Sequence, residues 1–386
     1  MIHLDANAST PLRPEVLEAM LPWLRDGYAN PSGTYGAAKR ARQAIEHARG
    51  QVAQWLGAQP EEIVFTSGGT ESVNTALLSL DRQAGPGPAL VSAIEHSAVL
   101  RCAESLPRGL NWVPVNTAGR LDLEAFAENL PEAAFVSVMT ANNETGVIQP
   151  LRDVCALARE YGRAVHTDAV QAMGKIPLNV RELGVDMLSL SAHKFHGPKG
   201  VGALYVRSGL RFSPLLLGGG QEGGRRSGTE NTAAIVGLGV AAAIMCKQAA
   251  VDHHAALRHL RDAFEAKLLD ELAGVTVNGD LGYRLPNTSH LSFDGCEAAG
   301  LLILLDEAGI ACSAGSACMS GQQRPSHVQV AMGIDETRAR SSLRFSFSTL
   351  NTMGEAFAAA VMVKRAVEKL RRVQGQGVGP VQVYCV

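Results

Sequence analysis

A lysine at the end of a short apolar run is the residue in this sequence best suited to covalent chemistry. Residues 186–190 read as a buried strand, and Lys194 follows them, between His193 and a Gly-Pro turn. Lysine is rarely buried without a partner, and burial lowers its pKa, which favours the neutral amine that forms a Schiff base. Lys199 is the competing candidate, but its proline and glycine neighbours predict a solvent-facing turn. The sequence therefore favours Lys194.

A carboxylate ends a second apolar run, and an amide follows it. Asp168 closes the run at residues 164–168, and Gln171 lies three residues later. Taken alone, Asp168 could be a helix cap. Beside a Schiff-base lysine it would keep the pyridine nitrogen of pyridoxal phosphate protonated, so that the ring can absorb electrons released at a substrate's α-carbon. Gln171 could reach the phenolic oxygen of that ring, and the set predicts a pyridoxal-phosphate enzyme.

A glycine-rich turn at residues 67–72 lies where a strand is expected to give way to a helix. The first N–H groups of a helix are unpaired and its dipole favours an anion, so Gly69 would let a phosphate approach and Thr70 would add a hydroxyl. On its own, such a turn is more often a simple helix start. It matches neither GxGxxG nor GxxxxGK[ST], which disfavours a dinucleotide or nucleoside-triphosphate loop.

Two further residues could take part in the chemistry. His96 follows the apolar run at residues 89–92, where it could stack on the ring or relay protons, although a lone histidine is usually structural. Cys318 lies in a small-residue segment at 311–323, a kind of loop that can bring a reactive group to a substrate. The other cysteines considered are interpreted as packing residues, namely Cys102, Cys155, Cys246, Cys296 and Cys312.

The elements that must position these residues alternate between strands and helices. Residues 34–57 have helical spacing, residues 62–66 read as a strand, and another helix is expected from Thr70. This alternation predicts an α/β fold with a mostly parallel central sheet and helices on both faces. Ligands gather at the carboxyl ends of such strands, where Asp168 and Lys194 lie. The other strands expected in this sheet are 89–92, 134–139, 164–168, 187–191 and 201–206, with a helix such as 151–161 between some of them.

The pattern of predicted strands and helices changes after Ala250. Strand-like runs at 275–278, 288–293 and 342–347 are accompanied by helices, and a helix at 353–373 closes the chain. These runs predict a second, smaller α+β domain that the extreme N-terminus joins. We expect a large cofactor-binding domain at 12–250 and a small domain made of 1–11 with 251–386, the latter carrying the Cys318 segment.

Composition limits the class of protein. The chain has 386 residues, 46 % of them hydrophobic and 19 % charged, as in ordinary globular proteins, and its net charge of −2 gives no case for binding nucleic acid or an anionic membrane. The start lacks the features of a signal peptide, and the longest apolar run, 233–246, is too short to span a bilayer and reads as a buried helix. Seven cysteines without a CxxC pair, and the lack of an HExxH motif, argue against a disulfide framework and a zinc site. We expect a soluble cytoplasmic protein without a metal.

In sequence order, these motifs resemble those of pyridoxal-phosphate cysteine desulfurases of the NifS/IscS type, within the class-V aminotransferase family. The resemblance covers nearly the whole chain. It implies a fold-type I transferase architecture and a homodimer with shared active sites. The segments that carry it are 4–10, 29–32, 66–72, 95–96, 142–146, 166–171, 191–194, 226–229, 315–318 and 342–346.

The resemblance also implies roles for individual residues. Lys194 would form the Schiff base, and Cys318 would take sulfur from L-cysteine as a persulfide with release of L-alanine. Arg344 would hold the substrate carboxylate through its forked guanidinium, and Asn30 and Asn143 would also contact the substrate. His96 would stack on the ring and take part in catalysis. The implied cofactor-binding residues are Gly69, Thr70, His96, Asn143, Asp168, Gln171, Ser191, His193, Lys194 and Thr229, the last supplied by the partner subunit.

The identity of the sulfur acceptor stays open. An iron–sulfur scaffold, a nucleic-acid sulfuration pathway or a dedicated partner protein would each serve. Met319 stands where the family usually has a small hydroxyl residue after the nucleophile, and the tail at 375–386 does not resemble the acceptor-docking tail of the housekeeping enzymes.

Two other functions compete with desulfuration. A related lyase on the same fold, acting on selenocysteine or another amino acid, would not need Cys318. A binding or scaffold protein that had lost the chemistry would be expected to lack Lys194 or Asp168, and both are present.

Overall fold

The computed structural model describes residues 1–249, 253–314 and 325–375. Within these ranges, strands and helices alternate along the first part of the chain, as the sequence predicts. The strands are β1 (Ile2–His3), β2 (Ile63–Thr66), β3 (Ala89–Ser92), β4 (Leu110–Val113), β5 (Phe135–Ser137), β6 (Ala164–Asp168), β7 (Met187–Ser191), β8 (Gly202–Val206), β9 (Val275–Val277), β10 (Thr288–Phe293), β11 (Ile310–Ala311), β12 (Ser313–Ala314) and β13 (Ser342–Ser346).

The helices range from one turn to more than six. Two of them end at left-handed glycines, Gly57 with φ 70° and Gly184 with φ 77°, a conformation that favours glycine. The helices are α1 (Pro14–Arg25), α2 (Gly36–Leu56), α3 (Gly69–Gln83), α4 (Ser97–Glu104), α5 (Leu123–Asn129), α6 (Leu151–Glu160), α7 (Val180–Leu183), α8 (Thr232–Ala249), α9 (His253–Glu271), α10 (Ala298–Glu307), α11 (His327–Ala331), α12 (Glu336–Arg340) and α13 (Met353–Gly375).

A seven-stranded sheet with the order β2-β8-β7-β6-β5-β3-β4 forms the centre of the molecule. Strand β8 is antiparallel to both of its neighbours, and the other neighbouring pairs are parallel. The predicted α/β class with a mostly parallel sheet is therefore confirmed. Because the carboxyl ends of β2, β3, β6 and β7 lie at one edge, the residues that follow these strands are brought to the same side.

Alternate residues along the strands pack into two different cores, one on each face of the sheet. Ile63 and Phe65 of β2 pack in the core that also contains residues of α1, α2 and α8, whereas Val64 packs with α3 and α4 on the other face. Leu204 of β8 likewise lies on the α3 side. Side chains alternate across a strand, so this pattern shows helices covering both faces, as expected.

A second, antiparallel sheet with the order β12-β13-β10-β9 packs with α9, α10 and α13 around its own apolar core. The first strand of the chain, β1, runs parallel to β11, and Leu4 is buried in this same core. These contacts agree with a small unit that includes the N-terminus. The boundaries 1–11, 12–250 and 251–386 remain our proposal.

One strand of the central sheet is missing from the sequence prediction. Strand β4 lies at the edge of the sheet, where Asn111 interrupts the apolar run and the Trp112 side chain is 40 % exposed. An edge strand needs no continuous apolar run, because only part of it is covered.

Within the described ranges, no helix is both long and apolar enough to cross a membrane. In the same ranges, no three side chains of the His, Cys, Asp and Glu types group together as metal ligands would.

Candidate active site

The carboxyl ends of two neighbouring parallel strands bring the predicted lysine and acid together. Asp168 is the last residue of β6, and Lys194 ends a single 3-10 turn that follows β7. Residues 166–168 of β6 pair in parallel with residues 187–189 of β7. The charge on each of these side chains influences the pKa of the other, which agrees with their closeness at the two strand ends.

Backbone carbonyls of the N-terminal segment hold the Lys194 amine. Nζ donates hydrogen bonds to the carbonyl oxygens of Asn7 at 2.6 Å and Ala8 at 3.0 Å. Burial and the nearby Arg344 guanidinium lower the pKa of Lys194 to about 8, while the charges of Asp168 and Asp5 oppose the shift. A larger fraction of this amine is therefore neutral near physiological pH than for an ordinary lysine, as a Schiff-base lysine requires.

The turn that carries Lys194 is locked by the same N-terminal segment. Thr10 N donates to the carbonyl oxygen of His193 at 2.9 Å, and the His193 Nδ1 lies 3.2 Å from Ser9 Oγ. His196 adopts a left-handed conformation with φ 68°, and its N–H donates to Thr10 Oγ1 at 2.7 Å. Non-glycine residues keep such a conformation only where their surroundings fix it. Burial also lowers the pKa of His193 to about 4, so this ring is neutral.

Asp168 is a buried acid without a cation of its own. Its Oδ1 accepts a hydrogen bond from Val170 N at 2.9 Å, which is the cap-like contact of the simpler interpretation. Among the residues that the structure describes, none forms an ion pair with it. Burial raises the pKa of Asp168, while the charges of His96 and Lys194 oppose this shift. A buried carboxylate in this state fits the protonated nitrogen of a heterocycle, which would supply the missing positive charge.

His96 lies at the start of α4, close to Asp168 and Lys194. Its Nδ1 accepts a hydrogen bond from Ala98 N at 3.1 Å, which places the ring proton on Nε2. Although solvent reaches the ring, desolvation by the surrounding protein lowers the pKa of His96, and Lys194 acts in the same direction while Asp168 opposes it. A neutral, partly accessible imidazole near Asp168 is available to stack on a planar ligand.

The glycine turn before α3 forms a close-packed anion cradle. Gly68 has φ 154°, and α3 begins after it without a side-chain cap. A Cβ on Gly69 would lie 2.9 Å from Val170 Cγ2 and 3.5 Å from the Cβ of Ser191, the last residue of β7. Thr70 is exposed in the first turn. The uncapped N–H groups of this fifteen-residue helix thus lie beside the ends of β6 and β7, where a phosphate would bind.

A guanidinium reaches the site from the second sheet. Arg344 in β13 is 7 % exposed, and its Nη2 donates to Asp5 Oδ1 at 2.7 Å while Nη1 donates to the carbonyl oxygen of Asn143 at 3.0 Å. Its charge lowers the pKa of Lys194, so the guanidinium lies near that amine. The Nε of Arg344 is buried and has no hydrogen-bond partner within the described ranges. The group is suited to a carboxylate ligand.

Sequence reasoning missed the residue that connects these parts. Asn7 is 1 % exposed, and its carbonyl oxygen accepts hydrogen bonds from Lys194 Nζ and from Gln171 Nε2, the latter at 2.8 Å. Its side chain accepts from Lys175 Nζ at 2.8 Å and donates to the Asn143 carbonyl at 3.2 Å. A signal was present, because Asn7 lies between two alanines in the opening motif at 4–10.

Two predicted residues are not brought to this cluster within the chain, and a third lies outside the described residues. Asn30 is exposed, and its Oδ1 accepts a hydrogen bond from Ser32 N at 2.9 Å within its own turn. Thr229 is also exposed and forms no hydrogen bond with the other predicted site residues in the part of the chain described. Cys318 and its neighbour Met319 lie outside the described residues, as does the tail beyond Gly375.

Four of the described cysteines are poor nucleophiles. Burial raises the pKa of Cys102 to about 11 and that of Cys155 and Cys312 to about 12, and it also raises the pKa of Cys296. Since the thiolate is the reactive form, these thiols are inert near neutral pH. Their environment agrees with the packing role that the sequence suggests.

Known proteins are similar to this chain over almost its full length. The sequence profile of the class-V aminotransferases matches residues 2–356. The cysteine desulfurase of Gluconacetobacter diazotrophicus is 45 % identical over 379 residues, covering 96 % of this chain and 94 % of that protein. Cysteine desulfurase NifS of Azotobacter vinelandii is 44 % identical over 389 residues, covering 99 % and 96 %.

A solved structure described as SspA in complex with cysteine is also similar. It superposes with a TM-score of 0.79 at 35 % identity and covers 91 % of this chain and 100 % of that one. Together with the strand-end site, these matches show that the chain belongs to the class-V aminotransferase family and, within it, to the cysteine desulfurases of the NifS type.

Proposed function

We propose that this protein uses pyridoxal phosphate to convert L-cysteine to L-alanine and transfers the sulfur to Cys318. The observation that carries the proposal is the pair at the strand ends: an amine whose pKa is lowered to about 8, and a buried acid that forms no ion pair with any described residue. When bound, pyridoxal phosphate would act as an electron sink for the substrate's α-carbon. Both residues fit that group, one at its aldehyde carbon and the other at its ring nitrogen.

The remaining site residues would orient the cofactor. His96 would lie against the ring, Gln171 would donate to the phenolic oxygen, and Asn143 would lie beside the ring. The N-terminus of α3, which includes Gly69 and Thr70, would bind the phosphate with help from two residues of the β7 turn and one of the partner subunit. Those three are Ser191, His193 and Thr229.

Substrate recognition would rest on Arg344. Its Nη atoms are held by Asp5 and Asn143, while its buried Nε is a donor without a partner in the described ranges. A substrate carboxylate would satisfy that donor and add a second negative charge beside the guanidinium. Asn30, which is exposed here, is proposed as a further substrate contact in the assembled dimer.

Sulfur transfer needs one proton acceptor and one nucleophile. Lys194 Nζ, neutral above its pKa of about 8, would take the α-proton. The Cys318 thiolate would attack the substrate sulfur, so that an S–S bond forms and the substrate C–S bond breaks with its electron pair going to the β-carbon. The β-carbon would take up a proton equivalent to the one lost from the substrate thiol, Lys194 would return the α-proton, and L-alanine would leave. The raised pKa of Cys102, Cys155 and Cys312 argues against giving this role to any of those three cysteines.

The proposal extends to the setting of the reaction. We propose a cytoplasmic homodimer that passes persulfide sulfur to an acceptor protein, such as an iron–sulfur scaffold or a dedicated pathway partner, without itself binding nucleic acid. Large apolar side chains exposed around α1 and the loop near residue 216 support a partner subunit there, with Tyr28 95 %, Leu217 81 % and Leu24 62 % exposed.

The test is product analysis with L-cysteine. Wild-type protein loaded with pyridoxal phosphate should release equal amounts of alanine and, in the presence of a reductant, sulfide. Cys318→Ser should keep the bound chromophore and lose sulfide release, whereas Cys312→Ser should retain activity. Full activity of Cys318→Ser, or turnover of selenocysteine alone, would support the related lyase instead.

A further inference from the structure

A second buried lysine lies beside the site and has no assigned role. Lys175 is 5 % exposed, and its Nζ donates to Gln171 Oε1 at 2.6 Å and to Asn7 Oδ1 at 2.8 Å. In the described part of the chain, no carboxylate forms an ion pair with it. Burial lowers the pKa of Lys175 well below its ordinary value, and the charges of Lys194 and Arg344 act in the same direction. A buried amine without a counter-ion is costly, so its hydrogen bonds are of special interest.

These hydrogen bonds fix which end of the Gln171 amide points to Lys175 and which end points away from it. A lysine amine donates to oxygen, so the amide oxygen of Gln171 points to Lys175 and the amide nitrogen points away. That nitrogen donates one hydrogen to the Asn7 carbonyl, which can only accept. One N–H of the amide is left over. The same Asn7 carbonyl accepts from Lys194 Nζ, so the Gln171 amide nitrogen that carries this N–H lies close to the Lys194 amine.

We propose that Lys175 is a positioning residue that keeps the Gln171 amide turned so that its N–H, and not its oxygen, faces the phenolic oxygen of the bound cofactor. The inference rests on the cofactor site proposed above. Lys175 acts only through Gln171 and Asn7. The charged or titratable groups that it faces are Lys194, Arg344 and His196.

The pH dependence of the holoenzyme spectrum reports this hydrogen bond. A donor to the phenolic oxygen favours its deprotonated form, so losing the donor should move the visible-band transition to higher pH. Lys175→Met keeps the volume and removes the donors, and we expect its midpoint to rise by about one pH unit. Gln171→Ala should give a similar rise, and the double variant should show no further rise. Lys199→Met, at an exposed position, should match the wild type.

The inference is overturned if Lys175→Met has the wild-type midpoint, or if its shift adds to that of Gln171→Ala, since additive shifts mean separate effects. Thermal melts of the apoproteins identify a variant that fails to fold, and Lys175→Ala is then measured by the same criteria. Failure of the proposed function would differ, because the wild type itself would then show no bound chromophore.

Discussion

At the scale of single residues, the sequence predicts the groups that do chemistry better than the groups that hold them. Lys194 and Asp168 stand out because burying a charged side chain at the end of an apolar strand costs free energy, which a functional role would explain. Asn7, by contrast, acts largely through its backbone carbonyl, and any residue type has one. Lys175 has no pattern of its own until its contact with Gln171 is seen. Such supporting contacts depend on three-dimensional packing.

The lowered pKa of Lys194 can be measured by cofactor capture. Only the neutral amine can attack the aldehyde of pyridoxal phosphate, and its fraction rises as the pH passes through about 8. We therefore expect the rate of covalent capture by apoprotein to rise with pH and to level off above that value. The measurement is stopped-flow absorbance over a pH series, with Lys199→Met as a matched control. A rate that keeps rising towards the ordinary lysine pKa of 10.5 would contradict the lowered value.

Replacing the buried acid should separate binding from catalysis. Asp168→Asn keeps the size of the side chain and the acceptor for Val170 N, but it removes the charge that would hold the ring nitrogen protonated. We expect kcat for alanine formation to fall by about 100-fold or more while the chromophore remains bound. Steady-state kinetics and the visible spectrum of the same sample check both parts. A variant with wild-type kcat would remove Asp168 from the mechanism.

At the scale of elements, alternation and strand ends were enough to predict the central sheet and the edge where the site forms. The predicted helix at 34–57 is α2 (Gly36–Leu56), and the run at 134–139 is the shorter strand β5 (Phe135–Ser137). Strand β4 could not be predicted, because its apolar pattern is broken at the edge of the sheet. The sequence also cannot show how closely β8 approaches the turn before α3.

That close approach predicts the effect of a single methyl group. A Cβ on Gly202 would lie 2.5 Å from the carbonyl oxygen of Leu190 and 2.8 Å from Gly68 Cα, both of which are backbone atoms. Gly202→Ala should therefore lower the free energy of unfolding by about 1–3 kcal/mol and weaken pyridoxal-phosphate binding several-fold. Denaturant titration and cofactor titration measure the two effects.

A helix position with open space provides the control for this test. A Cβ on Gly50 in α2 meets no heavy atom within 4 Å. Gly50→Ala should be neutral or stabilising, by up to about 1 kcal/mol. Unchanged stability and cofactor affinity in Gly202→Ala would show that the turn before α3 tolerates displacement.

At the scale of the whole molecule, the single chain lacks contacts that the proposed reaction needs. Thr229 and Asn30 are exposed and stand apart from the cluster around Lys194, whereas the resemblance assigns both to the site. Exposed apolar residues on and after α1 form a surface whose contact with water is unfavourable, as is typical of a protein–protein interface. The contacts of such residues cannot be predicted from patterns within one chain, because a second subunit would bury them.

Charges on this surface should separate the subunits. The double variant Leu24→Asp with Tyr28→Asp is expected to sediment as a monomer and to lose most of its activity, because the site would lack the partner's contribution. Tyr161→Asp, which changes another exposed aromatic residue, 46 % exposed, should leave a dimer with normal activity. Analytical ultracentrifugation and alanine assays on the same samples decide the matter. A fully active monomer would contradict the shared site.

Peptide mapping after a single turnover tests the central claim most directly. The holoenzyme is mixed with one equivalent of L-cysteine, its thiols are alkylated, and its digest is analysed by mass spectrometry. We predict that the mass of one additional sulfur atom appears on the peptide containing Cys318, with one equivalent of alanine in solution, and that Cys318→Ser gives neither. Alanine formation in that variant, or the extra sulfur on a different cysteine, would contradict the account.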